Sequence, residues 1–391
     1  MNIFEQNSRI LITCPLRVVP ILKTEVESLG FSITKETLTH VEILGTMQDA
    51  MTLNLLLRTA HRVLFFLDKF NAKNPDELYE NFKKIHWEDF ISPDYYISIS
   101  SAVEHPTIND SRYPNQKCKD AIVDRMRSKF GRRPDSGSKR QGALIYFYWK
   151  DNLCEVFFDT SGVSLSKRNY RKIPFLAPMQ ETLAAATLLT ANWNGTGNFI
   201  NPMCGSGTVA IEAALIAANI CPGSLRENFA FMHLNGFNKS QWDSIKNQYC
   251  NQIKTFSGKI IATDISNKAI FAAKQNAKNA GVEHLIEFQR CDFRETQIPA
   301  GEGIVFLNPE YGERMGDEIK LENIYSAIGD FFKKNCQGYR GYVFTGNFNL
   351  AKKIGLRTSR KIPFFNGSID CRLLEYELYS GSRKKKYSEQ N

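Results

Sequence analysis

Two short stretches of the chain carry residue types that could do chemistry. Residues 201–208, the glycine loop, read Asn-Pro-Met-Cys-Gly-Ser-Gly-Thr, and residues 308–311, the amine loop, read Asn-Pro-Glu-Tyr. Glycine lacks a Cβ, so such a turn can bring backbone N–H groups and a helix start close to a ligand. The amine loop offers a side-chain amide, a carbonyl and an aromatic ring. Together they predict a ligand-binding loop and a substrate-binding loop.

The glycine loop lies between an apolar strand pattern and an alanine-rich run. We predict that a strand ends at Asn201, that Gly205 and Gly207 form a tight turn, and that Thr208 caps the following helix. A lone Gly-x-Gly is weak evidence, so the alternative is an ordinary turn between a strand and a helix.

Acidic residues follow the next two predicted strands. Asp264 ends an apolar strand, and its carboxylate could accept hydrogen bonds from the two hydroxyls of a ribose. The alternative is that Asp264 caps the next helix, a role that Ser266 could also fill. Asp292 could accept a hydrogen bond from an adenine amine, or it could be a loop residue without a ligand.

The amine loop ends a fourth predicted strand. An aromatic amine is a poor nucleophile because its lone pair is delocalised into the ring. The Asn308 side-chain oxygen and the Pro309 carbonyl could accept its two N–H groups, and Tyr311 could stack on the base. With an activated methyl donor, positioning the reactants is the main requirement. The alternative is a simple turn, since Asn-Pro often begins one.

Composition excludes several other classes. Six dispersed histidines and nine cysteines without a C-x-x-C pair predict neither a metal site nor a disulfide framework. No signal peptide and no membrane-spanning run is recognisable, so we predict a soluble, cytoplasmic protein. The net charge of +9 suits a polyanion such as nucleic acid. Cys204 and Cys221 are predicted to be small buried thiols rather than nucleophiles.

Basic residues cluster in and near a segment rich in Ser, Gly and Pro. We predict that these side chains contact RNA phosphates, with Tyr170 stacking on a base; the alternative is a solvated basic loop. The residues are Lys139, Arg140, Lys167, Arg168, Tyr170 and Arg171.

Alternating strand and helix patterns predict an α/β protein with several domains. After residue 178 the pattern predicts a doubly wound, largely parallel sheet. The predicted segments are 1–65, 66–163, a linker at 164–178, the sheet domain at 179–380 and a basic disordered tail at 381–391.

Residues from about 155 to 378 resemble the Rossmann-like class I methyltransferase domain of THUMP-containing bacterial RNA methyltransferases. The resemblance is carried by the glycine loop, the amine loop with the Gly-Glu-Arg that follows it, Phe-Asp-Thr-Ser-Gly at 158–162 and Asn-Ala at 276–277. It is nearest to the RlmL-type enzymes that make N2-methylguanosine in large-subunit ribosomal RNA. Residues 1 to about 160 resemble their ferredoxin-like segment and THUMP RNA-binding domain more loosely.

The resemblance implies S-adenosylmethionine as cofactor and RNA as substrate. Asn308, Pro309 and Tyr311 are expected to hold the target base. The expected cofactor-binding residues are Asn201, Pro202, Cys204, Gly205, Gly207, Thr208, Asp264, Ile265, Asp292 and Asn308. The family usually has aspartate at the position of Asn201 and proline at that of Glu310, which puts cofactor contacts and substrate choice in question.

We therefore expect methylation of a guanosine N2 amine in 23S (large-subunit) ribosomal RNA. One alternative is transfer RNA, because related THUMP enzymes methylate it. Another is a non-catalytic RNA-binding or ribosome-assembly factor on a methyltransferase fold, which the two departures motivate. Longer RlmL-type enzymes carry a second methyltransferase domain, and only one is expected here.

Overall fold

The computed structural model describes residues 3–173, 179–311 and 318–379. Two compact units emerge, one built from residues 1–167 and 221–251, the other from residues 168–220 and 252–391. The later part of the predicted linker, residues 174–178, lies outside the described residues, as does the predicted tail at 381–391.

The helices and strands follow in chain order. The first twelve are β1 (Asn7–Thr13), α1 (Val19–Ser28), β2 (Ile33–Glu36), β3 (His40–Thr46), α2 (Met47–Leu56), β4 (Arg62–Asn71), α3 (Pro75–Lys84), β5 (Tyr96–Glu104), α4 (Arg112–Phe130), β6 (Asp135–Ser136), β7 (Ala143–Lys150) and β8 (Leu153–Asp159). The others are α5 (Glu181–Thr190), β9 (Asn198–Pro202), α6 (Thr208–Ala217), α7 (Lys239–Cys250), β10 (Ile260–Asp264), α8 (Asn267–Asn279), β11 (Ile286–Arg290), β12 (Gly303–Leu307), α9 (Glu318–Asn335), β13 (Arg340–Thr345), α10 (Phe348–Lys353), β14 (Arg360–Asn366) and β15 (Ile369–Glu377).

One eight-stranded sheet organises the first unit. Its order is β2-β3-β1-β4-β8-β7-β5-β6, and β4 pairs antiparallel with β8. The succession from β1 to β4 is the βαββαβ pattern of a ferredoxin-like domain. Local signals explain its helices: Thr46 and Asp49 form a capping box before α2, and Asn74 caps α3. A hairpin joins β7 and β8, with Asp151 at a φ of 50° in the turn.

A seven-stranded sheet organises the second unit. Its order is β11-β10-β9-β12-β13-β15-β14; the first five strands are parallel, and β15 runs antiparallel to both of its neighbours. Apolar residues of α9 such as Tyr325 and Ile328 share a core cluster with Val305 and Leu307 of β12. The doubly wound prediction is confirmed. Because β9 to β12 are parallel, their carboxyl ends lie along one edge of the sheet.

The edge strands β2 and β14 have weak strand patterns in the sequence, for physical reasons. Strand β2 is four residues long and mostly exposed, so its sequence lacks the apolar alternation of a half-buried strand. Strand β14 contains Pro363, which removes a backbone N–H and lowers strand propensity. An edge position tolerates that loss, and both strands lie at the ends of their sheets.

Candidate active site

The glycine loop leaves β9 through a left-handed turn. Met203, Gly205 and Gly207 have φ values of 59°, 56° and 81°. The residue at the N-cap of α6 is Gly207, so the prediction that Thr208 caps this helix is wrong by one position. A Cβ on Gly207 would lie 2.9 Å from the Cβ of Ala273, whereas a Cβ on Gly205 would meet nothing within 4 Å. Gly207 therefore permits close packing of the loop against α8, and Gly205 has free space next to it.

Asp264 lies beside this loop at the end of β10. Its Oδ2 accepts the Gly205 N–H at 3.0 Å, and its Oδ1 accepts the Ser266 N–H at 2.9 Å. Ser266 is the N-cap of α8, accepting the Ala269 N–H at 3.3 Å. Asp264 is therefore not the cap of that helix. It links two consecutive strand ends and keeps a second lone pair on each oxygen for a ligand.

Asp292 follows β11, the next strand along the edge. Its two carboxylate oxygens accept hydrogen bonds from Nε and Nη2 of Arg294 at 2.8 and 2.7 Å. The Arg294 guanidinium lowers the pKa of Asp292 below its ordinary value. Asp292 is therefore anionic at neutral pH. Its partner Arg294 was not among the site residues predicted from the sequence.

A cavity of about 330 Å³ opens between these strand ends and α9, within the size range of small-molecule sites. Both predicted carboxylates line it, and Ile265, 66% exposed, lies next to Asp264. The lining residues are Met203, Asp264, Ile265, Asp292, Phe293, Arg294, Lys320, Asn323, Ile324 and Ala327.

Asn201 and Asn308 end the two central parallel strands with their side-chain oxygens unpaired. Asn201 is buried, and its Nδ2 donates to the Phe306 carbonyl at 2.8 Å. Across the described residues, Oδ1 of Asn201 and Oδ1 of Asn308 are buried without a hydrogen-bond donor. A buried acceptor without a donor costs about 1–3 kcal/mol, so both atoms are candidates to receive a ligand N–H.

Tyr311 is held by the hairpin of β14 and β15. Its hydroxyl accepts a hydrogen bond from Nδ2 of Asn366 at 2.8 Å, and burial raises the pKa of Tyr311 to about 12. A Cβ on Gly346 would lie only 3.0 Å from the Tyr311 ring, so a small residue is needed there. The Tyr325 hydroxyl lies 3.4 Å from the Glu310 carbonyl, to which it donates. None of these supporting residues has a recognisable local signal in the sequence.

The remaining amine-loop residues lie where strand β12 ends. Pro309 is buried, while Glu310 is exposed. The Gly-Glu-Arg at 312–314, part of the resemblance, lies outside the described residues. The structure therefore brings the glycine loop, Asp264, Asp292 and Asn308 to consecutive strand ends of one sheet edge.

Three of the six residues predicted to contact RNA are buried or mostly buried and are paired with carboxylates. In the strap, defined as residues 168–173, Arg168 and Tyr170 are each 1% exposed. Oε1 of Glu212 accepts from Nε of Arg168 at 2.8 Å and from the Tyr170 hydroxyl at 3.0 Å. Arg171 is mostly buried and pairs with Glu181 at 2.5 Å. The prediction that Arg168, Tyr170 and Arg171 form an RNA surface is wrong, because buried and paired side chains cannot reach a phosphate or a base.

The other three predicted RNA-contacting residues, Lys139, Arg140 and Lys167, are exposed. They all belong to the first unit. In the described residues no group of three or more His, Cys, Asp or Glu is arranged to hold a metal ion. A search of the same residues finds no helix long and apolar enough to span a membrane.

Family models match three consecutive parts of the chain. An RlmL ferredoxin-like domain matches residues 9–64, a THUMP domain matches residues 72–159, and an RMKL-like methyltransferase domain matches residues 168–375. Fold and site thus define a class I methyltransferase preceded by ferredoxin-like and THUMP domains. More particularly, the chain belongs to the RMKL-like methyltransferase family, as the resemblance predicted.

Relatives of similar sequence include a candidate RNA methyltransferase, slr0064, of Synechocystis sp. It is 35% identical over 356 residues, covering 91% of this chain and 93% of that protein. Ribosomal RNA large subunit methyltransferase K/L of Syntrophotalea carbinolica is 34% identical over 377 residues, covering 94% of this chain. The match covers 53% of that protein, so this chain spans about half the length of the K/L relative.

Among solved structures, SMU.472, a candidate methyltransferase in complex with SAH (S-adenosylhomocysteine), aligns with a TM-score of 0.85 and 25% identity. The alignment covers 97% of this chain and 99% of that one. The predicted S-adenosylmethionine cofactor agrees with the family and with the product-form cofactor in SMU.472.

Proposed function

We propose that this protein transfers a methyl group from S-adenosylmethionine to the exocyclic N2 amine of a guanosine in large-subunit ribosomal RNA. The observation that carries the proposal is the unpaired Oδ1 of Asn308 at the end of β12. An acceptor at that position can hold an amine N–H next to a cofactor site. The THUMP match supports RNA as the substrate, and the name of the K/L relative supports ribosomal RNA in particular.

The strand-end residues fit S-adenosylmethionine by their chemistry. The unpaired lone pairs of Asp264 suit the ribose hydroxyls, and the anionic Asp292 suits the adenine amine. The unpaired Oδ1 of Asn201 suits a donor such as the cofactor's amino group. When bound, the cofactor supplies a methyl group already activated by its sulfonium. The other residues proposed to bind it are Pro202, Cys204, Gly205, Gly207, Thr208, Ile265 and Asn308.

In the amine loop, the protein holds and orients the target nitrogen. Oδ1 of Asn308 and the carbonyl of Pro309 accept its two N–H groups, which turns the nitrogen towards the cofactor site. Tyr311 stacks on the base, with its hydroxyl held by Asn366. Because a stacked base in a helix cannot enter such a loop, the guanosine must be unpaired or extruded.

Exposed cations of the first unit are proposed to contact RNA phosphates. We expect Lys139→Ala with Lys167→Ala to weaken RNA binding and to reduce the slope of log K against log salt by about 1.5, since each phosphate contact contributes about 0.7–0.9. Filter binding at several salt concentrations measures the slope. The control is Lys254→Ala together with Lys239→Ala, two exposed lysines outside the predicted clusters. An unchanged slope in the first double variant would remove both residues from the RNA surface.

The test is to incubate the protein with labelled S-adenosylmethionine and total RNA from a strain lacking its gene. The RNA is fractionated, and the labelled nucleoside is identified by mass spectrometry. The proposal predicts N2-methylguanosine in large-subunit RNA. Label in transfer RNA, or on adenine, would overturn the proposed substrate, and no label in any fraction would contradict RNA methylation itself.

A further inference from the structure

We infer that Asn276 is a positioning residue for the glycine loop and that it ties this loop to the strap. The inference rests on the proposed cofactor role of the loop. Asn276 lies in α8, is fully buried, and is remote from the amine loop in sequence. Neither the predicted site nor the cavity lining includes it.

The Asn276 amide uses its whole hydrogen-bonding capacity. Nδ2 donates to the carbonyls of Ser206 at 3.2 Å and Ile173 at 2.9 Å. Oδ1 accepts the backbone N–H groups of Lys172 at 3.0 Å and Ile173 at 3.1 Å. An asparagine has two N–H donors and two acceptor lone pairs, and all four are occupied. One side chain therefore joins α8, the strap and the glycine loop.

Three consecutive glycine-loop residues are each held by the segment from β10 to α8. The Gly205 N–H bonds to Asp264, the Ser206 carbonyl bonds to Asn276, and Gly207 packs against Ala273. Ala273 and Asn276 lie three positions apart, so they share one face of α8. Asn276 is the member of this group that fixes the direction of the Ser206 carbonyl.

The strap end of this connection is itself anchored in the interior of the second unit. Arg168 and Tyr170 both donate to Glu212, which is fully buried on α6. Asn279, three residues after Asn276 on α8, donates to the Tyr170 carbonyl at 3.1 Å. The strap is therefore a firm support rather than a loose linker over residues 168–173.

Removing the Asn276 amide leaves the buried Ser206 carbonyl, the Ile173 carbonyl and the Ile173 N–H without their side-chain partner, whereas the Lys172 N–H keeps its hydrogen bond to the Tyr170 carbonyl at 3.0 Å. The loop can then relax away from the conformation that binds the cofactor. The effect should fall on cofactor affinity, because Asn276 touches no reacting atom. Asn279 is the matched control, since it contacts the same strap from the same helix without reaching the glycine loop.

The experiment measures the binding of S-adenosylhomocysteine by calorimetry to the full chain and to N276A, N276D and N279A, together with their melting temperatures. N276A should bind at least about tenfold more weakly, because a buried group left unpaired costs more than a hydrogen bond contributes. N276D, when ionised, still accepts from the strap N–H groups but has no donor for Ser206, so it should lose affinity too. N279A should melt earlier and bind within about twofold of the wild type.

A folded N276A that binds as tightly as the wild type would overturn the inference, and so would equal losses in N276A and N279A. If N276A does not fold, N276D decides in the same way. Hydrogen exchange of the wild type adds a test without substitutions: S-adenosylhomocysteine should slow exchange in a peptide spanning the strap, and unchanged exchange there would contradict the connection. A wild-type protein that fails to bind would instead contradict the proposed cofactor site.

Discussion

The glycine loop and the amine loop lie at ends of adjacent parallel strands, yet they treat their polar groups differently. In the glycine loop, backbone groups form hydrogen bonds: the Cys204 N–H donates to the Thr263 carbonyl and the Gly205 N–H to Asp264. In the amine loop, the Asn308 side-chain oxygen has no donor among the described residues. We propose that the glycine loop is held by hydrogen bonds in the shape that binds the cofactor, whereas the Asn308 oxygen is left available for a substrate hydrogen bond.

The unpaired oxygen of Asn201 follows the same rule. It lies at the start of the glycine loop and is buried without a donor among the described residues. Both asparagines thus spend about 1–3 kcal/mol each on an acceptor that a ligand can satisfy. The contrast is therefore between hydrogen-bonded backbone groups of the glycine loop and the unpaired side-chain oxygens of Asn201 and Asn308, which are available to ligands.

The substitution expected to lower stability most removes Glu212, the buried acceptor that anchors the strap. Glu212→Ala would leave Arg168 and Tyr170 buried without their shared acceptor, so the free energy of unfolding should fall by about 3–5 kcal/mol. Denaturant unfolding measures it. The control is Glu287→Ala, which breaks an exposed ion pair with Lys259 and should change the free energy of unfolding by less than about 1 kcal/mol. Equal losses of unfolding free energy in the two variants would show that the buried network contributes no more to stability than the exposed ion pair.

Asn308→Ala tests the unpaired acceptor of the amine loop. Its single-turnover rate should fall about 100-fold, because the amine loses an orienting contact during transfer. Affinity for S-adenosylhomocysteine should fall far less than the rate, because the main role proposed for the Asn308 oxygen is to orient the amine, and the melting temperature should change little. A large loss of cofactor affinity with an unchanged rate would reverse the roles assigned to the two loops.

Asp264→Asn should lower cofactor affinity more than the single-turnover rate, the reverse of Asn308→Ala. The neutral amide keeps one acceptor but loses the charge and the second acceptor, so cofactor affinity should fall about 10–100-fold. The single-turnover rate at saturating cofactor should stay closer to that of the wild type than the rate of Asn308→Ala. Calorimetry and single-turnover assays on the same preparations give both quantities. A normal affinity would contradict the ribose-binding role.

Tyr311→Phe gives the smallest expected effect. Loss of the hydrogen bond to Asn366 should lower activity about 2–10-fold. Because burial raises the pKa of Tyr311 to about 12, above its ordinary value, any stability linked to its titration is present below about pH 10 and lost only as the pH rises towards the folded pKa. The pH profiles of the wild type and the variant should therefore run parallel from about pH 6 to 9. A divergence there would mean that the hydroxyl ionises during the reaction.

The sequence predicted where the strand-end residues lie, because a parallel sheet brings the carboxyl ends of its strands together whatever the intervening helices contain. Asp264 and Asn308 needed only their strands to be recognised. The strap could not be predicted in this way, because its acceptor Glu212 lies 44 residues from Arg168. Basic residues in a sequence can form either an RNA-binding surface or buried ion pairs, and only the folded structure distinguishes the two. Asn366, which holds Tyr311 from 55 residues away, escaped for the same reason.

We propose that the amine loop receives the N2 amine of a guanosine. Once the labelled nucleoside is mapped, the most direct test compares RNA carrying guanosine at that position with the same RNA carrying inosine, which lacks only that amine. We expect rapid methylation of the guanosine RNA and none of the inosine RNA, with similar binding of both. Equal methylation of the inosine RNA would show that the methyl group goes to another atom.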